Sequence, residues 1–201
     1  MTGDPLPLME AFYTIQGEGF HQGKAAFFIR LAGCDVGCHW CDVKESWDHT
    51  LYSAVEINDI VAKGQKYKAN LAVITGGEPL MYDLTDLTRQ LKLVGFKTHI
   101  ETSGAHQLSG IWDWVCLSPK KFKHPVESIY NKADELKVII YNKSDFAWAE
   151  SFRNKLRPDC VLFLQPEWSR SDIIMPLIID YVKDNPSWKI SLQIHKYINV
   201  P

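Results

Sequence analysis

Residues 26–41, AFFIRLAGCDVGCHWC, run an apolar segment directly into a loop that carries three cysteines within eight positions. Ala26–Leu31 is rich in β-favouring side chains and short enough to read as a buried strand. The same order, apolar run followed by unusual polar residues, recurs downstream. Leu71–Thr75 precedes Gly76-Gly77-Glu78-Pro79, Lys97–Glu101 precedes Thr102-Ser103-Gly104, and Trp114–Leu117 precedes Ser118-Pro119-Lys120. Further strands are predicted at Leu136–Ile140, Val161–Gln165 and Ile190–Ile194, the last two closing on Gln165-Pro166 and Gln193-Ile194-His195-Lys196. Helical patterns lie between them at Ala54–Lys66, Leu84–Val94, Ser144–Leu156 and Ser171–Lys183. A capping box of Ser53 and Glu56 is expected to open the first of these, and Pro176 to delay or kink the last. Alternating strands and helices predict an α/β fold with a largely parallel sheet and right-handed crossovers. In such sheets the carboxyl ends of the strands share one rim, where ligands bind, so all six motifs are expected to face one pocket.

The 201 residues form one predicted domain, 1–201, since no Gly-, Ser- or Pro-rich linker divides them and 46% hydrophobic content suffices for one core. A formal charge of −2 lacks the basic footprint of a phosphate-backbone binder, so nucleic acid is not expected as a direct substrate. The start of the chain has no basic segment followed by an apolar one, and no apolar run has the length of a membrane span. A cytoplasmic protein is therefore expected. Five cysteines, three of them crowded together, favour a metal or cluster site over a disulfide framework.

The triplet Cys34-x3-Cys38-x2-Cys41 can hold three irons of a cubane and leave a fourth open, whereas ordinary ferredoxin-type sites supply four thiolates. The same spacing also suits a structural zinc completed by His39 or His49. Cys116 and Cys160 are expected inside apolar strands and read as small buried hydrophobes. Gly76-Gly77-Glu78-Pro79 alone would be an ordinary turn.

Together, the triplet with Trp40 before its last cysteine and the Thr75–Pro79 element resemble the radical S-adenosylmethionine (SAM) superfamily. The chain from about Ala11 to Pro201 is further similar to the 7-carboxy-7-deazaguanine synthases, through Thr14–Gly19, Phe28–Leu31, Glu101–Gly104, Ser118–Lys120 and Gln193–Tyr197. The resemblance implies a modified partial (β/α) barrel, a [4Fe–4S] cluster on Cys34, Cys38 and Cys41, and SAM on the open iron. It implies pterin contacts at Ile15, Gln16, Gly17, Glu18, Arg30, Thr75 and Pro201. SAM contacts fall on Gly77, Glu78, Glu101, Ser103, Ser118, Pro119, Lys120 and Gln165. The residue types suit these roles: Gln16 and Glu18 can read an aminopyrimidinone edge, and Arg30 offers a planar fork to a carboxylate. His195 reads equally as a site residue or a core histidine.

The implied reaction is the ring contraction of 6-carboxy-5,6,7,8-tetrahydropterin to 7-carboxy-7-deazaguanine with loss of ammonia, on the route to queuosine and other 7-deazapurines. A one-electron donor such as flavodoxin or ferredoxin and a homodimer are also implied. Two positions depart from the family. Val43 stands where a threonine usually reaches Mg²⁺, and valine offers a hard cation no side-chain oxygen. Ser103 replaces the usual asparagine beside SAM. Two other readings fit part of the sequence: a radical SAM activase acting on a protein partner, and a zinc-stapled binding module. The activase would have no use for Gln16, Glu18 and Arg30, and the zinc module would carry no sulfide.

Overall fold

The computed structural model describes residues 3–201. The chain enters as β1 (Leu6–Ile15) and returns antiparallel as β2 (Ala25–Leu31). After the cysteine loop come β3 (Ala54–Val55), α1 (Ile57–Gly64), β4 (Leu71–Gly76), α2 (Thr85–Leu93), β5 (Lys97–Thr102) and β6 (Trp114–Leu117). The second half contains β7 (Glu135–Ile140), α3 (Ser144–Glu150), β8 (Val161–Pro166), α4 (Ser171–Asp184), β9 (Trp188–Ile190) and α5 (Ile194–Ile198). One sheet has the order β3-β1-β2-β4-β5-β6-β7-β8-β9, parallel from β2 to β9. With β3 and β9 at its two ends, the barrel is partial.

Strand alternation assigns each face its chemistry. Phe27, Ile29, Leu31, Ile74, Ile100, Leu117, Val138 and Leu164 point to the helical side and join one large core with Ile57, Ile60, Leu87, Leu91, Ile174 and Ile178 from α1, α2 and α4. The intervening residues, among them Arg30, Thr75, Glu101, Lys137 and Gln165, lie on the opposite face and line a cavity. A face carrying so many polar groups cannot gain from burial against apolar helices, so the helices collect on one side.

Several predicted boundaries move. β1 is not among the strands expected from sequence, because Pro7, Glu10 and a register shift between Leu8 and Glu10 interrupt its alternation. The predicted helix 54–66 starts late: Ala54 and Val55 pair with Pro7 and Leu6 as β3, and Glu56 at the helix start makes no side-chain cap. The predicted strand 190–194 is Trp188–Ile190, and Ile194 already belongs to α5. The predicted helix 144–156 ends at Glu150 and gives way to a short 3-10 turn at Arg153–Lys155. Pro176 does not delay its helix, because α4 is continuous from Ser171 to Asp184. Cys160 lies just before β8 instead of within it, yet is buried as expected.

Candidate active site

The carboxyl ends of the parallel strands open onto one cavity of about 300 Å³. Ile15, Gln16, Gly17, Glu18, Arg30, Thr75 and Pro201 line it, as do Gly77, Glu78, Glu101, Ser103, Ser118, Lys120 and Gln165. Cys34, Cys38 and Cys41 open onto the same space. Of the site residues named from sequence, Pro119 alone lies elsewhere, in a smaller neighbouring cavity with Trp40 and Phe122. The Ser-Pro-Lys turn presents its first and third side chains to the main cavity and turns its middle one away.

The cysteine loop is pinned by backbone hydrogen bonds. Gly33 N donates to Ser46 O at 2.6 Å, Cys34 N to Trp47 O at 3.2 Å and Cys41 N to Cys38 O at 3.1 Å. Cys34, Cys38 and Cys41 pack with Val36 and Ala105. Burial pushes the Cys34 and Cys38 thiols up, Cys38 to about 11. These thiols become ligands only against a strong positive charge, since the thiolate is the metal-binding form. Among the described residues, the one trio of His, Cys and acidic side chains with donor atoms within 4.8 Å of one another is His99, Cys116 and Glu135. The three loop thiols form an all-sulfur donor set, which fits a multi-iron core. Among the described residues, His39 and His49 belong to no close ligand trio.

Glycine and Glu78 fix the neighbouring turn. A Cβ at Gly77 would stand 2.1 Å from Gly33 O and 2.9 Å from Cys34 Cβ, so the two loops approach closely only because Gly77 has none. Glu78 N donates to Gly33 O at 2.8 Å, tying them further. The Glu78 carboxylate is buried and accepts from Leu80 N at 3.0 Å, Thr102 Oγ1 at 2.6 Å, Ser103 N at 2.8 Å and the Ser103 hydroxyl. Both oxygens are occupied by protein donors, so this side chain clamps the β4 turn to the β5 turn. The Ser103 hydroxyl is spent on the same clamp.

On the opposite wall, Gln16, Glu18, Glu101, Lys137 and Gln193 form a connected ring. Lys137 Nζ donates to Glu18 Oε2 at 2.6 Å and to Glu101 Oε2 at 2.7 Å. Gln16 Nε2 donates to Glu101 Oε1 at 3.1 Å, and Gln193 Nε2 to Glu18 Oε1 at 2.8 Å. Burial, the largest single influence, would raise Glu18, but the charge and hydrogen bond of Lys137, the hydrogen bond from Gln193 and the nearby His195 together outweigh it and hold the carboxyl at about 2. Burial also acts to lower Lys137, yet Cys116, Glu101, Glu18 and Glu135 around it keep it well above its ordinary value. His195 lines the cavity from α5, its pKa lowered by burial, and packs so closely that a Cβ on Gly17 would fall 2.0 Å from its Nδ1. Arg30 pairs with Glu10 through Nε at 2.7 Å; its terminal nitrogens make no hydrogen bond among the described residues.

Gln193 belongs to a motif expected at the pocket and lines it, though without a role assigned from sequence, whereas Lys137 is not among the residues expected there. The signal existed: in Glu135-Leu-Lys137-Val-Ile the polar residues alternate inside an apolar strand, which places both on the face opposite the core. Further down that face, His99 has both ring nitrogens unpartnered and Glu135 has an unpartnered Oε1. Cys116 completes the trio, but the nearby Lys137 cation opposes the charge of a divalent ion there.

A model of the radical SAM superfamily matches residues 28–143. An α/β sheet with a three-cysteine loop and a glycine-rich turn on one rim thus defines a radical SAM protein, a class that uses a [4Fe–4S] cluster and SAM. The chain is 57% identical over 199 residues to 7-carboxy-7-deazaguanine synthase of Flavobacterium psychrophilum, across 99% of this chain and 94% of that one. The same-named protein of Escherichia coli is 34% identical, across 96% of this chain and 98% of that one. The crystal structure of QueE from Escherichia coli superposes with a TM-score of 0.83 at 33% identity, covering 94% of this chain and 93% of that one. The chain belongs to the 7-carboxy-7-deazaguanine synthase family.

Proposed function

We propose that this enzyme contracts 6-carboxy-5,6,7,8-tetrahydropterin to 7-carboxy-7-deazaguanine with release of ammonia, supplying queuosine and related 7-deazapurines. The observation that carries the reading is the convergence of two residue sets on one cavity. The three cysteines and the Gly77 turn occupy one wall, and Gln16, Glu18 and Arg30 another. When bound, the cluster and SAM supply the radical chemistry. The chain's own residues place the substrate. Glu18 and Gln16 accept and donate hydrogen bonds along the aminopyrimidinone edge, and the free terminal nitrogens of Arg30 hold the carboxylate. Ile15, Gly17, Thr75 and Pro201 complete the pterin surface. Gly77, Glu101, Ser118, Lys120 and Gln165 bound the SAM side, while Glu78 and Ser103 hold its turn in shape and Pro119 supports it from behind.

Position 43 gives Mg²⁺ no side-chain oxygen, and the Val43 carbonyl already accepts from Ser46 N at 3.1 Å and Ser46 Oγ at 2.7 Å. An ion bound with the substrate would be held by substrate oxygens and water. The family resemblance supports a homodimer and reduction by flavodoxin or ferredoxin. Five free cysteines support the cytoplasm, and no helix of the described residues is long and apolar enough to cross a membrane.

Anaerobic incubation with SAM, dithionite and 6-carboxytetrahydropterin, followed by mass analysis, tests the reading. The expected result is 7-carboxy-7-deazaguanine in many turnovers per enzyme. SAM cleavage with the pterin left intact would overturn the substrate assignment.

A further inference from the structure

Two carboxylates that the family resemblance places in different jobs share one cation in this fold. Glu18 comes from the loop after β1 and Glu101 from β5, and each meets Lys137 Nζ, at 2.6 and 2.7 Å. The Lys137 side chain is only 4% exposed, so water does not compete for its donors. Glu18 Oε2 and Glu101 Oε2 point at the ammonium, while Gln193 and Gln16 hold the other oxygen of each. The backbone reinforces the arrangement, as Glu18 N donates to Gln16 Oε1 at 3.2 Å and Ile194 N to Gly17 O at 3.0 Å. The loop that carries Glu18 is otherwise a glycine-containing connection between two strands and would be free to swing.

We propose that Lys137 is a positioning residue: it preforms Glu18 and Glu101 as a fixed pair of acceptors, so that the pterin meets Glu18 already oriented. The inference rests on the assignment of Glu18 to the pterin. Lys137 need not touch the substrate itself. One ammonium balances one of the two carboxylates, so the ring keeps a formal net negative charge and accepts donors in preference to acceptors. That suits an amide and amino edge and disfavours an anionic group, which is left to Arg30 with its free terminal nitrogens. A fixed pair also lowers the ordering cost of binding, the general advantage of preorganisation.

Removing the cation leaves two acids facing each other in a buried space. The other groups that act on Lys137 or Glu18 are Cys116 from β6, Glu135 from β7 itself, His99 from β5, His195 from α5 and Lys120 from the turn after β6; Lys120 spends its ammonium on Ser118 O and Oγ, and burial lowers the pKa of both imidazoles, so none replaces the Lys137 contact. With no cation, burial dominates at Glu18, which takes a proton and loses half its capacity to accept.

The test is pterin affinity, measured by calorimetry on the cluster-loaded enzyme with SAM present. K137M should weaken 6-carboxytetrahydropterin by about tenfold or more at pH 7, the scale expected when one partner of a buried charged pair is removed. E18Q should weaken it similarly. E18Q/K137M should be within about threefold of E18Q, because Lys137 acts through Glu18, and neighbours in one network do not add. The ratio of K137M to native Kd should shrink from pH 6 to pH 9 as Glu18 regains its charge, a trend that general loosening of the fold would not give. If K137M does not fold, E101Q and E101Q/K137M are compared, one acid having been neutralised first, with the same weakening and pH trend expected. A Kd within threefold of the parent, losses that multiply in the double variant, or a ratio flat with pH would each overturn the proposal. If the native enzyme binds no pterin, the assignment beneath it has failed instead.

Discussion

Glu78→Gln separates a structural role for this carboxylate from direct ligand contact. The amide would keep one oxygen for Leu80 N and Thr102 Oγ1, but its NH2 would face the Ser103 backbone N–H, which now donates at 2.8 Å. One buried N–H loses its acceptor, costing about 1–3 kcal/mol, and the remaining bonds lose charge assistance. A total of about 2–4 kcal/mol follows. At this chain length each kcal/mol moves the melting temperature by roughly 2–4 °C, so a fall of roughly 5–15 °C is expected. Melting of the cluster-free protein is the assay, because metal loss would obscure a two-state transition. SAM affinity of the loaded protein should fall as well, since Gly77 would no longer be held against the cysteine loop. A variant melting within about 1 °C of native while losing SAM affinity a hundredfold would refute the clamp and make Glu78 a ligand contact only.

Cys34→Ala, Cys38→Ala and Cys41→Ala should each abolish iron loading and SAM cleavage, whereas Cys116→Ala and Cys160→Ala should keep the cluster and lose about 1–2 kcal/mol, read by iron analysis and denaturation. Burial raises Glu135 to about 7 against an ordinary 4.5, so the folded chain holds a proton there that the unfolded chain has lost. Stability should therefore decline from about pH 4.5 to 7 by up to about 3 kcal/mol, and Glu135→Gln should flatten that slope and melt above the native protein at pH 8. Val43→Thr should increase the dependence of turnover on Mg²⁺, measured as activity with and without chelator; an unchanged dependence would show that this position supplies no decisive ligand.

The parallel part of the sheet was legible because its strands are largely buried and several read as continuous apolar runs, such as Leu71–Thr75 and Val161–Gln165. β1 was not, since an antiparallel strand broken by a bulge and a proline carries no clean period. Motifs at strand ends located the cavity, because topology forces those ends onto one rim. What sequence did not reveal was side-chain bookkeeping: that Glu78 spends its acceptors inside the protein, that Ser103 follows it, and that Lys137 joins Glu18 to Glu101. Such facts depend on distances between strands far apart in sequence. Pro119 illustrates the converse, a residue in the right turn whose ring points away from the cavity.

The cavity wall around Glu18 draws on two stretches far apart in sequence: Ile194 N donates to Gly17 O at 3.0 Å, Thr14 Oγ1 to the Pro201 carbonyl at 3.1 Å, and Gln193 to Glu18. Synthesis delivers these partners far apart in time. The cysteine loop and the β4 turn emerge from the ribosome well before residues 191–201, so in a nascent chain the wall around Glu18 still lacks these partners when that turn has been made. A folding intermediate in which residues 191–201 have not docked would leave Glu18 and Gly17 without the contacts that fix them.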